Sequence, residues 1–155
     1  MIYKRYSDAK EFYKETFSIL MKHEAQNSLP LGNAVIGNNG GESEGWRNTK
    51  NWFMATVTDD GGNILFVSIM TPPFNITLYE TDNLSNDEAL ECLCENMIKE
   101  SIAVPGVTSE NRLAERFAKT YTKKAGMGYQ VHKNMRIYTL DRVDENIPVV
   151  GIIRK

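Results

Sequence analysis

Cysteine, histidine and concentrated charge of either sign are what this chain has least of. There are two cysteines in 155 residues. Cys92 and Cys94 stand two apart in a helical pattern, where side chains i and i+2 point to different faces, so they share neither a metal nor a disulfide. Cys94 falls in an apolar stripe and reads as core; Cys92 reads as the edge of that stripe. The two histidines, His23 and His132, are too few for a structural metal without paired cysteines. A catalytic histidine needs an orienting acid and a nucleophile nearby, and the sequence shows neither, so both read as surface or satisfied core residues. Eighteen Lys and Arg against twenty Asp and Glu leave a net charge of −2. With no basic block, the electrostatic footprint of a DNA- or RNA-binding protein is missing. No stretch reaches the roughly 18 apolar residues of a membrane span, and the first eight residues lack the apolar run of a signal peptide. Together these scarcities point to the reducing cytoplasm.

What is present describes one globular α+β domain. Hydrophobic residues make up 41% of the chain and charged residues 25%, well outside the disordered regime. Residues 2–6 alternate as a short edge strand. Ser7 or Asp8 then caps a helix over about 8–26, on the spacing of Phe12, Tyr13, Phe17, Leu20 and Met21. A second short helix covers about 29–36. Residues 52–58 alternate as a half-buried strand, and Asp59-Asp60-Gly61-Gly62-Asn63 is a tight hairpin turn. Ile64 to Met70 is a mostly apolar, central strand. Thr71-Pro72-Pro73 interrupts it, because proline donates nothing to a ladder, and a strand resumes over 75–80. Ser85-x-x-Glu88 has the capping-box pattern, and Leu90, Leu93, Cys94, Met97 and Ile98 make one stripe of a helix over 86–100. A short strand follows at 102–104. Thr108 or Ser109 caps a helix over 110–124, ended by Gly126. Residues 129–140 alternate as a long final strand, and 149–152 form one more strand or a linker. The order is β-α-α-β-β-β-α-β-α-β, around a mixed sheet.

Several stretches invite a functional reading and have a plainer one. The run Asn38 to Gly45 is rich in glycine but follows no strand, lacks Gly-Lys-Ser/Thr and carries two glutamates, so it reads as a mobile loop rather than a phosphate loop. Trp46, Trp52 and Phe53 either edge a ligand pocket or anchor strand and loop. Pro72-Pro73-Phe74 either shapes a pocket wall or keeps a sheet edge from pairing with another chain.

The element order, with the 52–70 hairpin and the helix pattern Asn111-x-x-Ala114-x-x-Phe117, resembles the GNAT N-acetyltransferases. A closer resemblance is to the N-terminal half of bacterial two-part GNAT proteins. It rests on Glu24-Ala25-Gln26-Asn27-x-Leu29-Pro30-Leu31-Gly32, then Met70-Thr71-Pro72-Pro73-Phe74-Asn75, Val104-Pro105-Gly106-Val107 and Met135-Arg136-Ile137-Tyr138-x-Leu140. In GNAT modules an Arg/Gln-x-x-Gly-x-Gly/Ala loop holds the acetyl-CoA pyrophosphate. The corresponding residues here run from Leu78 to Glu88 with no glycine, no base, and acids at Glu80, Asp82, Asp87 and Glu88.

The resemblance therefore implies a degenerate GNAT-like domain over residues 1–145 and a linker over 146–155 toward a catalytic GNAT half. It implies acetyl-CoA as the cofactor of the family, with none bound by this chain alone. Its expected partner is that catalytic half or a second copy, with neither nucleic acid nor membrane. Glu24 becomes the candidate carboxylate for an acceptor amine. Tyr121 becomes the candidate general acid, since Ala118 replaces the family tyrosine after Phe117, and Asn111 the candidate cofactor contact. Two alternatives remain: an active acetyl-CoA-dependent N-acetyltransferase working as a dimer, and a stand-alone module that binds a small ligand or peptide.

Overall fold

Asp8 starts the first helix by accepting a hydrogen bond from the Lys10 amide, one of the donors a helix N-terminus leaves free. The structure, a computed structural model, describes residues 1–81 and 86–142. The elements run β1 (Ile2–Arg5), α1 (Ala9–Met21), α2 (Ser28–Asn38), β2 (Phe53–Thr58), β3 (Ile64–Met70), β4 (Ile76–Glu80), α3 (Asp87–Lys99), β5 (Val107–Thr108) and α4 (Asn111–Ala125). Two single turns of 3₁₀ helix, Gly45–Arg47 and Thr49–Asn51, lead into β2.

The sheet is mixed and its strands lie in chain order, β1-β2-β3-β4-β5. The first four are antiparallel neighbours, whereas β4 and β5 run parallel. Alternation divides the strand residues between two cores. Phe53, Ala55, Val57, Phe66, Met70, Ile76 and Leu78 pack with Leu90, Leu93, Cys94 and Met97 of α3 and Leu113, Phe117 and Tyr121 of α4. Trp52, Met54, Val67, Ile69 and Tyr79 pack with α1 and α2 through Phe12, Leu20, Leu31 and Ala34. The domain is thus three layers, helices on both faces of the sheet. Helix α2 comes so close that a Cβ on Gly37 would stand 2.8 Å from Ala9 Cβ and 2.9 Å from the Trp52 ring.

Four expectations change. Helix α1 stops at Met21, short of residue 26, because buried Asn27 turns its side-chain amide onto the Leu20 carbonyl and closes the helix end. Strand β2 is buried on both faces, not one. Its alternating polar residue Thr56 meets the Tyr6 hydroxyl at 3.0 Å instead of water. The strand expected at 102–104 forms at Val107–Thr108, past Pro105, which has no N–H to give. Most consequentially, residues 129–140 are in no strand, and Val131, Met135, Ile137, Tyr138 and Leu140 are all exposed. Period-two alternation selects the face a strand would bury but supplies no neighbour to pair with. Residues 143–155, including the expected linker and the aliphatic run from Ile147 to Ile153, lie outside the described residues, as does Ser85 of the capping box.

Candidate functional site at the β4–α3 turn

The N-terminus of a helix that follows a strand is a ready anion seat, because its first amides have no partner within the helix. At the start of α3 that seat is filled by the chain itself. Glu80, the last residue of β4, accepts a hydrogen bond from the Asn86 amide at 2.9 Å through Oε1. Its other oxygen accepts from Arg116 Nη1 at 2.7 Å. Asn86 caps the helix, its side-chain oxygen accepting from the Ala89 amide at 2.9 Å. Arg116 reaches across from α4 and also donates from Nε and Nη2 to Asp87 Oδ1, at 3.0 and 2.7 Å. The Glu80 side chain is 11% exposed, so this pair sits largely out of water, while Asp87 stays in it. The result ties β4, α3 and α4 together around one carboxylate and one guanidinium.

The neighbouring strand step is closed in the same way. β5 pairs with β4 only at Ile76↔Val107 and Thr77↔Thr108. Beyond that point the Leu78 carbonyl is taken by the Ser109 hydroxyl at 2.7 Å. Ser109, which with Thr108 was expected to cap α4, is therefore committed to the sheet. The cap is Glu110, whose carboxylate accepts from the Leu113 amide at 3.1 Å.

The three candidate residues are placed apart. Glu24 is exposed in the turns between α1 and α2, in the layer on one face of the sheet. Tyr121 is in the core on the other face, stacked on Phe117 at 5.6 Å, with its hydroxyl donating to the Ile102 carbonyl at 2.9 Å. Burial, and then the nearby Cys94, push its pKa above the ordinary tyrosine value. Asn111 is the exposed first residue of α4. The sheet stands between Glu24 and Tyr121, and no contact joins them.

The aromatic candidates act as anchors. Trp52 Nε1 donates to the Trp46 carbonyl at 2.6 Å, and the Trp46 ring meets Phe74 edge-on at 5.8 Å. Phe53 lies beneath the Arg5 guanidinium at 4.1 Å. This pins the 42–51 segment onto the Pro72-Pro73-Phe74 turn. A depression of about 380 Å³ beside it is lined by Gly41, Glu42, Asn48 and Thr49 among others. His132 is exposed, and the ring of His23 lies 6.1 Å from that of Tyr79. Cys94 is buried and Cys92 half-buried. Among the described residues no group of three or more His, Cys, Asp or Glu is arranged to hold a metal, and no helix is long and apolar enough to cross a membrane.

Sequence reasoning missed Arg116 and the part played by Ser109. Arg116 lies one position from Phe117 of the helix stripe and Ser109 was read only as a cap, and nothing local announces a partner some thirty residues away. No protein-family model, curated protein or solved structure matches this chain.

Proposed function

We propose that this chain is a GNAT-like domain that does not itself hold acetyl-CoA, and that it serves as the non-catalytic half of an acetyltransferase, positioning the catalytic half or lining its acceptor-amine site. The observation that carries this reading is the Glu80 carboxylate on the Asn86 amide. A GNAT module offers the start of that helix to pyrophosphate. Here a negative charge already sits there, braced by Arg116, with Asp87 and Glu88 beside it. An incoming phosphate would have to displace the Glu80 carboxylate from both the Asn86 amide and Arg116, with the Arg116-paired Asp87 and Glu88 close by.

Two further features support the reading. The element order up to α4, β-α-α-β-β-β-α-β-α around a mixed sheet, matches what the GNAT resemblance implies, without the final strand expected at 129–140. In that family the cofactor's pantetheine arm enters between the fourth and fifth strands and pairs with strand amides and carbonyls. The Ser109 hydroxyl occupies the Leu78 carbonyl at this step.

Calorimetric titration of the full chain with acetyl-CoA is the direct test. The expected result is no saturable heat. A dissociation constant in the low micromolar range, worth about −8 kcal/mol, would return the chain to the active acetyltransferases.

A further inference from the structure

The two cores are complete before Gly126. Every side chain in them, and every partly buried one packed against them, lies between Tyr3 and Ala125. Gly126, at φ 67°, ends α4 in the left-handed conformation, and the Met127 amide returns to the Thr122 carbonyl at 2.9 Å. Among the described residues, nothing from 128 to 142 enters a strand, a helix, a hydrogen bond or an ion pair. All of 127–142 is exposed, with Val131 at 71% and Tyr138 at 83%.

Lys133, Arg136 and Arg142 stand in that stretch. Every other described lysine and arginine lies in β1, in α1, α3 or α4, or in the two 3₁₀ turns before β2, save Lys22, which caps α1. The distinction is chemical. An extended peptide docks by pairing its backbone with its receptor as an added strand does, whereas a bond inside a helix or sheet must first open. Around Lys133 and Arg136 the backbone is free on both sides. Neither residue precedes a proline, and no acid stands between Glu115 and Asp141 to compete for the basic side chains.

We propose that the peptide bonds after Lys133 and Arg136 form a proteolytic processing site, for an endoprotease whose pocket carries a carboxylate for a basic side chain, and that the domain left behind keeps its fold. In the cut, water adds across the amide and the C–N bond breaks. Lys133 or Arg136 keeps the carbonyl carbon as a new carboxylate, and Asn134 or Ile137 becomes a new amino terminus. Either cut takes away Ile137, Tyr138 and Leu140, exposed apolar side chains that the two cores do not use. The proposal rests on the placement of the basic residues and on the end of the cores, and stands whether or not the acetyltransferase reading does.

Trypsin is the probe, added in small amount to the full chain under native conditions, with products followed in time by intact-mass spectrometry. The first products are expected to end at Lys133 or Arg136, formed at least about tenfold faster than any cut within 1–126, since those wait for local opening. First cuts at Lys22, Arg47 or Lys50, or at any other bond within 1–126, overturn the proposal. A first cut after Arg142 that leaves 129–140 attached, or resistance of the whole chain, means that the segment is covered by its own sheet or by another copy, and overturns it as well. A second measurement needs no protease. The chain ended at Arg136 is expected to unfold at the urea midpoint of the parent, with the same far-ultraviolet circular dichroism over the helices. A lowered midpoint, or failure to fold, would show that the removed residues belong to the fold and would sink the proposal.

Discussion

Arg116 holds the β4–α3 turn through two carboxylates of very different worth. Asp87 is 81% exposed, and an ion pair in water contributes little. Glu80 is nearly enclosed, so removing its partner strands a charge out of water. Arg116→Met is therefore expected to cost about 2–3 kcal/mol, measured by urea unfolding. Adding Glu80→Gln should restore part of that loss, because the amide keeps an acceptor for the Asn86 hydrogen without the charge. Strictly additive costs would mean that the two side chains are not coupled. At this scale the sequence was informative about chemistry and silent about partners. The absence of glycine and the presence of acids between Leu78 and Glu88 were legible; that one of those acids turns back onto the helix start was not. Glu80 and Arg116 lie 36 positions apart, and only packing of α4 beside α3 makes them neighbours.

Helix ends were easier to foresee than sheet edges. A cap at Ser7 or Asp8 before α1 and Gly126 after α4 were legible, because capping is decided within three or four residues, whereas the α1 end at Met21 and the Glu110 cap of α4 were not. The start of α3 is the informative test. Asn86 is its cap, and Asn86→Ala removes the acceptor for the Ala89 amide at the point where Glu80 also bonds. The expected cost is about 1 kcal/mol, read as a lowered thermal midpoint with an unchanged fold by circular dichroism. No change in midpoint would show that Glu80 alone suffices to hold the helix start. Strands behaved otherwise. The hairpin of β2 and β3 was fixed by its Asp-Asp-Gly-Gly-Asn turn and formed where expected. Residues 102–104 and 129–140 had strand composition but no turn to bind them to a neighbour, and neither formed a strand there. A helix satisfies its own backbone, whereas a strand depends on what lies beside it.

Burial makes the whole molecule sensitive to alkali. It pushes the Cys94 thiol from 9.0 up to about 12. Burial, followed by the hydrogen bond to Glu15, pushes Tyr6 from 10.0 up to about 12. Tyr3 moves further in the same direction, first by burial and then by Glu100. Each group keeps its proton in the folded chain at a pH where the unfolded chain has released it. The contribution to stability is complete below the unfolded values of 9.0 and 10.0 and is lost as the pH rises toward about 12. Urea midpoints are expected to hold level from neutral pH to about 9 and then to fall steadily. Tyr6→Phe should flatten part of that fall. A midpoint constant through the same range would contradict the burial of these groups.

By itself the sequence determined the class, the helices and the assignment of residues to core. Those follow from periodicity, capping and turn chemistry, which act over a few residues, and they brought Cys94, Phe117 and Tyr121 to the interior as expected. Tertiary structure decided the rest. It set Glu24 and Tyr121 in layers on opposite faces of the sheet, gave the α3 anion seat to Glu80, and left 129–140 outside any strand among the described residues. Each of these depends on which surfaces meet in space, and surfaces far apart in the chain exert no force on each other until the layers have assembled.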